Sequence, residues 1–250
     1  MQAPTPHSAT IDAAIGAAIG DLVDANHILF HQGIVDAFGH VSVRHPADPG
    51  RFFIARNVAP GSVTAHDIVE LDVDNAEPLT PNPPRLYLER CIHSEIYKVR
   101  ADVTAVVHSH SSAVLPFGIV QGARLRPACH MCGFLGAGPP VFEIRQTAGQ
   151  ASDLLIRTPE LGAALAQTLG QQNVVLMRGH GCTVVAASLR LAVYRAVYTE
   201  VNARLLLHAL PLGAVTYLTS EEAQATRDSV ESQVDRPWNL WKQLAQRARE

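Results

Sequence analysis

The chain has 250 residues, of which 47% are hydrophobic and 17% are charged, and its formal net charge is −3. This composition suits a single globular domain with a sizeable core, so we expect residues 1–250 to form one domain. No block of like charge is present, so we expect neither nucleic acid nor an anionic membrane as a partner. No apolar run reaches the ~18 residues of a membrane-spanning helix and the N-terminus lacks a secretory pattern, so we expect a cytoplasmic protein.

The first third of the chain predicts one helix and two strands. Between Ile11 and Val35, Ile, Leu and Val recur every three to four residues in an Ala-rich segment, which predicts a long amphipathic helix. Arg51–Ala55 and Ile68–Val73 are predicted strands, separated by a turn at Pro60-Gly61. A further helix is expected to begin after Pro83-Pro84.

Two histidines follow the next predicted strand. Val103–Val107 is apolar and β-branched, which predicts a buried strand. Because strand side chains alternate between faces, His108 and His110 point the same way if extended backbone continues through them. Neutral imidazole is the commonest protein ligand for divalent first-row metals, so the pair indicates a metal site. A purely structural role for each histidine stays open from the residues alone.

His180 is the best candidate for the third protein ligand that a mononuclear site needs. Asn173–Met177 predicts another short buried strand, and Arg178-Gly-His-Gly181 follows it directly. The two glycines are expected to let the backbone turn sharply and to leave room for a bulky ligand. A satisfied polar residue or a helix cap is the alternative interpretation of this histidine.

The last part of the chain predicts a strand followed by helices. Cys182–Ala187 reads as a strand. Residues 188–209 predict a helix that is capped by Ser188 and ends near Pro211. From about Thr219 the chain is polar, with two tryptophans, and predicts a C-terminal helical tail that packs on the body or on a neighbouring subunit.

Residues from Gly39 to about Leu207 resemble the class II aldolase/adducin family. Gly39-His-Val-Ser-Val-Arg44 resembles the Gly-Asn-x-Ser-x-Arg turn of the family, and Arg178-Gly-His-Gly181 resembles the segment that carries its third histidine. Glu89 stands where the family has its catalytic glutamate, nineteen residues before His108.

The resemblance implies an α/β fold with three layers, in which helices cover both faces of a central, mostly antiparallel sheet. It implies one divalent metal ion per subunit, Mn, Fe, Co or Zn, held by His108, His110 and His180, with no organic cofactor. It also implies that Glu89 is the acid/base residue and leaves open whether Glu89 ligates the metal. A carboxylate in the first turn of a helix is also favoured by the helix dipole, but the position of Glu89 relative to the histidine pair favours catalysis. Family members commonly form tetramers, so a homotetramer is implied.

Two departures from the aldolases of this family bear on the substrate. Sugar-phosphate aldolases hold phosphate with short hydroxyl- and glycine-rich loops, whereas this chain has Ala55-Arg-Asn-Val-Ala-Pro-Gly61 in one such place and Tyr87-Leu88 in another. An aromatic and an aliphatic residue in place of small donors remove hydrogen bonds to phosphate and add apolar surface. We therefore expect a phosphorylated sugar to bind poorly.

The asparagine of the turn motif is replaced by His40. A histidine there could hydrogen-bond a substrate carboxylate or hydroxyl, or transfer a proton near neutral pH, so we place His40 with Glu89 as a catalytic candidate. A surface histidine in a turn is an equally good interpretation. The predicted substrate-binding residues are Ser42, Arg56, Asn57 and Tyr87. The candidates for binding a substrate carboxylate are Arg56, Arg90, Arg145 or a residue of another subunit.

Pro127–Gly136 follows the metal-binding strand at a distance where the family places residues that line the site, so its apolar side chains are expected to form a wall suited to a flat ring. Cys129 and Cys132 have the spacing of redox or zinc motifs, but no second pair exists in the sequence. We therefore expect reduced thiols that line a pocket.

The departures resemble a branch of the family that decarboxylates aromatic acids, such as dihydroxyphthalate and hydroxy-methylpyridine-dicarboxylate decarboxylases. This implies a metal-dependent carbon-carbon lyase that decarboxylates a hydroxylated aromatic or pyridine (di)carboxylate, a small-molecule partner. One alternative is an aldolase for an unphosphorylated hydroxy-keto substrate, and a more distant one is an iron-dependent oxygenase. A non-catalytic, adducin-like interaction domain is a third alternative, although the chain keeps Glu89 and all three histidines.

Overall fold

The computed structural model describes residues 6–249, in which seven strands form one sheet with helices on both faces. The strands are β1 (His40–Arg44), β2 (Arg51–Ala55), β3 (Ile68–Asp72), β4 (Ala105–Ser109), β5 (Val141–Phe142), β6 (Val174–Met177) and β7 (Gly181–Ala186). Their order is β3-β2-β1-β4-β7-β6-β5, and neighbours are antiparallel except for the parallel pair β5 and β6. The predicted α/β fold with a mostly antiparallel sheet is confirmed, and β4 is its central strand.

Two sets of helices cover the two faces of the sheet. The helices are α1 (Pro6–His31), α2 (Arg90–Val99), α3 (Leu115–Ile119), α4 (Arg145–Ala148), α5 (Pro159–Leu169), α6 (Leu189–Ala209), α7 (Ser220–Glu231) and α8 (Asp235–Arg247). Helices α1, α6 and α8 pack with Val41, Ala105 and Val107 in one apolar core. Helices α2 and α5 pack with Val106 on the opposite face. Successive residues of β4 thus contribute to different cores, as strand alternation requires.

The boundaries of α1 and α2 differ from the predicted ones, and α1 begins at Pro6, five residues before the predicted start at Ile11. Helix α1 ends at His31, four residues before the predicted end, because the chain turns at Gly33 with φ +69°. Helix α2 begins only at Arg90, so Glu89 occupies its N-cap position rather than its first turn. Helix α6 begins as predicted, with the Ser188 hydroxyl accepting a hydrogen bond from the Leu191 N–H at 3.3 Å. The predicted tail forms two helices, α7 and α8.

One described helix, from Thr10 to His31, is long and apolar enough to cross a membrane by length and composition alone. Its residues Leu22, Ala25, Ile28 and Leu29 are fully buried in the core of the fold. A core helix near the N-terminus meets the same criterion, so the finding is weak support for a membrane span.

Candidate metal centre

Four side chains from distant parts of the chain converge at one end of β4. The Nε2 atom of His110 lies 3.2 Å from Nε2 of His108 and 3.1 Å from Nε2 of His180. An Oε2 atom of Glu89 lies 3.4 Å from Nε2 of His180 and 3.7 Å from Nε2 of His108. The candidate ligand atoms all lie within 4.8 Å of one another, so this Glu/His cluster could hold one metal ion.

Strand alternation explains the pair of histidines. His108 lies within β4 and is fully buried, and its side chain shares the face of Val106, which is covered by α2 and α5. His110 lies just beyond the end of β4. Its imidazole nevertheless meets that of His108, as expected if extended backbone continues past the strand.

The hydrogen bonds of His180 prepare it to act as a metal ligand. Its Nδ1 atom lies 2.8 Å from the carbonyl oxygen of Leu154, which can only accept a hydrogen bond. Nδ1 therefore carries the proton, and the lone pair of Nε2 faces the other two imidazoles. A second hydrogen bond of this kind is the usual way in which proteins orient a metal-ligating histidine. The donor set of three imidazoles and one carboxylate thus fits a divalent first-row cation.

The two glycines beside His180 do different things. Gly179 has φ +68°, so it allows the sharp turn between β6 and β7 that was expected. A Cβ atom at Gly181 would lie 2.1 Å from the carbonyl oxygen of Ser109. Gly181 therefore permits the close approach of β7 to β4, and the expectation that it leaves room for a ligand is wrong.

Glu89 is held as an ionised carboxylate. It is buried, and its Oε1 atom accepts a hydrogen bond from the Ile156 N–H at 2.8 Å. Burial alone favours the neutral acid, but the neighbouring imidazoles of His180 and His108 and the Ile156 N–H together lower the pKa of Glu89 to about 2. Its other oxygen atom points at the histidines, so the carboxylate can act either as a ligand or as a base.

His40 is buried rather than on the surface, so the interpretation as a surface turn residue is wrong. It begins β1 directly opposite His108, and the centroids of the two rings are 5.0 Å apart. Its Nδ1 atom lies 2.6 Å from Nε2 of His93. Burial, and then the neighbouring His93, lower the pKa of His40 well below its usual value. The neutral imidazole is therefore the form that this site favours, which does not support the predicted titration near neutral pH.

A cavity of about 330 Å³ opens beside the cluster. Glu89, His110 and His40 are among the residues that line it. The remaining walls combine apolar surface with two polar side chains. The wall residues include Phe38, Asn57, Arg85, Tyr87 and Leu155.

The structure brings two of the four predicted substrate-binding residues to this cavity. Asn57 and Tyr87 line it, and the Tyr87 hydroxyl donates a hydrogen bond to the carbonyl oxygen of Val58. Ser42 is fully buried behind His40 and does not line the cavity, so its assignment as a substrate contact is corrected. Arg56 is also not among the lining residues, because its Nε atom is paired with Asp67 at 2.6 Å.

Arg85 is the cavity arginine that the sequence did not indicate. The side chain of Arg90 pairs with Glu77 at 2.8 Å, and that of Arg145 pairs with Glu143 at 2.6 Å. Within residues 6–249 the guanidinium of Arg85 has no hydrogen bond or ion pair, and it lines the cavity. The only hint in the sequence was its closeness to Tyr87.

Residues Pro127–Gly136 do not form an apolar wall of the site within this chain, so that prediction is wrong. Residues His130–Leu135 form a 3₁₀ helix on the opposite face of the sheet, where the Tyr194 hydroxyl donates a hydrogen bond to the Met131 carbonyl at 2.8 Å. Cys129 and Cys132 in this segment are free thiols whose sulfur atoms are 3.2 Å apart. They do not approach the cavity beside the cluster.

Comparisons with known proteins agree with this geometry. The family described as Class II Aldolase and Adducin N-terminal domain matches residues 20–207, which contain the whole cluster. The chain is 41% identical over 237 residues to Decarboxylase tropJ of Talaromyces stipitatus, covering 86% of this chain and 89% of that protein. It is 31% identical over 225 residues to the 3,4-dihydroxyphthalate decarboxylase of Terrabacter sp. (strain DBF63), covering 83% of this chain and 87% of that protein.

A solved structure shares the fold. The L-fuculose 1-phosphate aldolase from Glaciozyma antarctica PI12 superposes with a TM-score of 0.78 at 20% identity, covering 99% of this chain and 94% of that one. The matched family region spans most of the chain, and the more similar relatives are decarboxylases. On these grounds the chain belongs to the class II aldolase and adducin family, within its aromatic acid decarboxylase branch.

Proposed function

We propose that this protein is a metal-dependent decarboxylase of a hydroxylated aromatic or pyridine carboxylate. The observation that carries the proposal is the Glu/His cluster beside a cavity whose walls offer apolar surface and the guanidinium of Arg85, which has no ion pair among residues 6–249. The decarboxylase relatives support the same reaction class.

We propose that His108, His110 and His180 hold one divalent cation, with the Glu89 carboxylate beside it. Imidazole and carboxylate donors suit Mn, Fe, Co and Zn alike, so the donor set does not choose among them. When bound, such a cation supplies Lewis acidity, which is worth several kcal/mol where negative charge develops on the substrate as carbon dioxide leaves.

Glu89 is suited to carry the proton that the reaction needs. Its pKa of about 2 keeps Glu89 ionised at neutral pH, so a free carboxylate is available to accept the proton of the substrate hydroxyl. When the bond between the ring and the carboxylate breaks, carbon dioxide leaves and the ring carbon takes up this proton from Glu89. The proton is thus moved within the site, and the product hydroxyl is reprotonated from water.

The walls of the cavity favour a flat, unphosphorylated substrate. Tyr87 is buried and its hydroxyl is already bonded to Val58, so the face of its ring is what it can offer to a ligand. Burial raises the pKa of Tyr87 to about 12, so it stays neutral. Phe38 and Leu155 add apolar surface. A ring can lie against these side chains, whereas a phosphate there would lose hydrogen bonds to water.

The reaction can be tested by an anaerobic assay of the manganese-loaded protein with a panel of ortho-hydroxy aromatic dicarboxylates. We expect metal-dependent release of carbon dioxide, followed together with the ring absorbance. Formation of a carbonyl pair from an unphosphorylated hydroxy-keto substrate, with no carbon dioxide from the panel, would instead establish an aldolase. Turnover that requires oxygen would establish an oxygenase.

We further propose that Arg85 binds a carboxylate of the substrate. Arg85→Gln is expected to raise KM for a dicarboxylate by about ten- to a hundredfold, the range for losing a hydrogen bond to a charged group. Arg56→Gln is the matched control, because Arg56 is engaged by Asp67 and should leave KM unchanged. An unchanged KM in Arg85→Gln would exclude this role.

We also propose a cytoplasmic homotetramer. Phe38 and Leu88 line the cavity, yet they are 66% and 48% exposed in the single chain. Apolar side chains exposed at the mouth of a site are suited to burial against another subunit. Sedimentation analysis of the purified protein measures the subunit number directly.

A further inference from the structure

A chain of four polar side chains runs from the cavity into the core. Nδ1 of His40 lies 2.6 Å from Nε2 of His93, and Nδ1 of His93 lies 2.6 Å from Oγ of Ser42. Oγ of Ser42 lies 2.8 Å from the hydroxyl of Tyr97. His40 is the only one of the four that lines the cavity.

Two regular spacings in the sequence, one on a strand and one on a helix, bring these side chains together. His40 and Ser42 are two residues apart on β1, so they share the face that α2 covers. Glu89, His93 and Tyr97 are spaced by four residues, which puts them on one side of α2. The side of α2 that carries Glu89 therefore also carries His93 and Tyr97, which extend the series of hydrogen bonds into the core.

Because these side chains are buried, water cannot replace the hydrogen bonds between them. His93 and Ser42 are 0% exposed, Tyr97 is 2% exposed and His40 is 4% exposed. Each contact joins two polar atoms, and one hydrogen must lie between them. A misplaced hydrogen would leave two donors or two lone pairs facing each other away from water, which is costly in a protein interior. The four side chains must therefore orient their hydrogens in one common direction.

The hydrogen bonds available to Tyr97, the innermost of the four side chains, set that direction. The Tyr97 hydroxyl can donate to Ser42 at 2.8 Å or to the carbonyl oxygen of Thr104 at 3.4 Å. The Thr104 carbonyl already accepts the Arg44 N–H at 2.7 Å, and a contact of 3.4 Å is a poor hydrogen bond. The shorter contact is the better hydrogen bond, which favours Tyr97 as the donor to Ser42.

The direction of this hydrogen bond determines the positions of the other hydrogens. Ser42 donates to Nδ1 of His93, and the Nε2–H of His93 donates to Nδ1 of His40. The proton of a neutral His40 then sits on Nε2, which has no partner among residues 6–249. His40 thus offers a hydrogen-bond donor on the side of the ring away from His93.

We propose that His93, Ser42 and Tyr97 are positioning residues that hold His40 as the neutral Nε2–H tautomer, ready to donate a hydrogen bond to an anionic oxygen of the substrate. This inference rests on the proposed function for the identity of the acceptor, a carboxylate or phenolate oxygen. The placement of the hydrogens does not depend on turnover, so it can be tested separately.

The direct test is ¹⁵N NMR of the zinc-loaded protein labelled in its histidines, with the His40 signals assigned by their loss in His40→Asn. We expect the Nδ1 signal of an unprotonated, hydrogen-bonded nitrogen and the Nε2 signal of a protonated one. In His93→Leu the Nδ1 signal should shift to that of an unprotonated nitrogen without a hydrogen bond. A protonated Nδ1 in the unsubstituted protein would overturn the proposal, as would a His40 spectrum that His93→Leu leaves unchanged.

Kinetics of the same variants separate positioning from a general structural role. His93→Leu should lower kcat by about tenfold at full zinc content, as expected for one lost hydrogen bond. His93→Gln, whose amide N–H can still donate to His40, should recover most of that loss. Ser94→Ala removes a neighbouring buried hydroxyl outside the chain of four and should change neither kcat nor the spectrum. The expected spectra without any release of carbon dioxide would refute the proposed reaction while leaving the positioning intact.

Discussion

Replacing His108 or His110 with alanine is expected to remove the bound cation and abolish turnover. Each histidine supplies a nitrogen atom within about 3.2 Å of another candidate ligand, so the loss of either opens the cluster. Losing several kcal/mol of charge stabilisation corresponds to a rate loss of at least about a thousandfold. Metal content after dialysis, measured by mass spectrometry, and release of carbon dioxide report the two effects separately.

His110→Ala is the sharper of the two variants. His108 is 0% exposed, so its removal also creates a buried cavity that can lower stability on its own. His110 is only partly buried, so its removal disturbs the fold less. His66→Ala, an exposed histidine in a short 3₁₀ helix, is the control and should keep metal and activity. Full activity in a metal-free His110→Ala protein would end the proposed mechanism.

Glu89→Gln is expected to keep the cation and slow turnover by about 10²- to 10⁴-fold, the usual contribution of general acid-base catalysis. Glutamine retains an oxygen atom that can accept the Ile156 N–H, so the local structure should persist. It cannot accept and return a proton at pH 7. Single-turnover kinetics and metal analysis of the same samples give the rate and the occupancy.

Glu95→Gln provides a matched control on the same helix. Glu95 is also a buried carboxylate, but it pairs with Lys98 at 2.6 Å and lies outside the cluster. Its replacement should leave the rate unchanged. An unaffected rate in Glu89→Gln would move the acid-base role to His40, whereas loss of the cation would show that Glu89 is needed as a ligand.

The parts of the site that depend on local periodicity could be predicted from the sequence. His108 and His110 converge because they are two residues apart on extended backbone, and Arg51–Ala55 forms a strand with its predicted bounds. His93 was not predicted: it follows Glu89 by four residues, but its contact with His40 depends on how α2 packs on β1. Helical spacing identifies a shared face but not its partner.

The parts that depend on chain path could not be predicted. Arg85 reaches the cavity in a Pro-rich segment that is tied to another loop, since the Asn57 N–H donates to the Arg85 carbonyl at 2.8 Å. Neither segment has a repeating pattern that would reveal this contact. Pro127–Gly136 was misplaced because its distance from β4 along the chain does not determine which face of the sheet it covers.

The origin of the four cluster side chains has a consequence for thermal stability. Glu89 and His180 are separated by 91 positions, and the four side chains come from a helix cap, the central strand, the residues just after it and a turn between two other strands. An unfolded chain cannot keep these atoms together, so a cation binds the native state selectively. At a hundred times its Kd, such an ion adds about 2.7 kcal/mol to the free energy of unfolding. Chelators should therefore lower the melting temperature as well as the activity, and loss of metal and loss of fold would reinforce each other on heating.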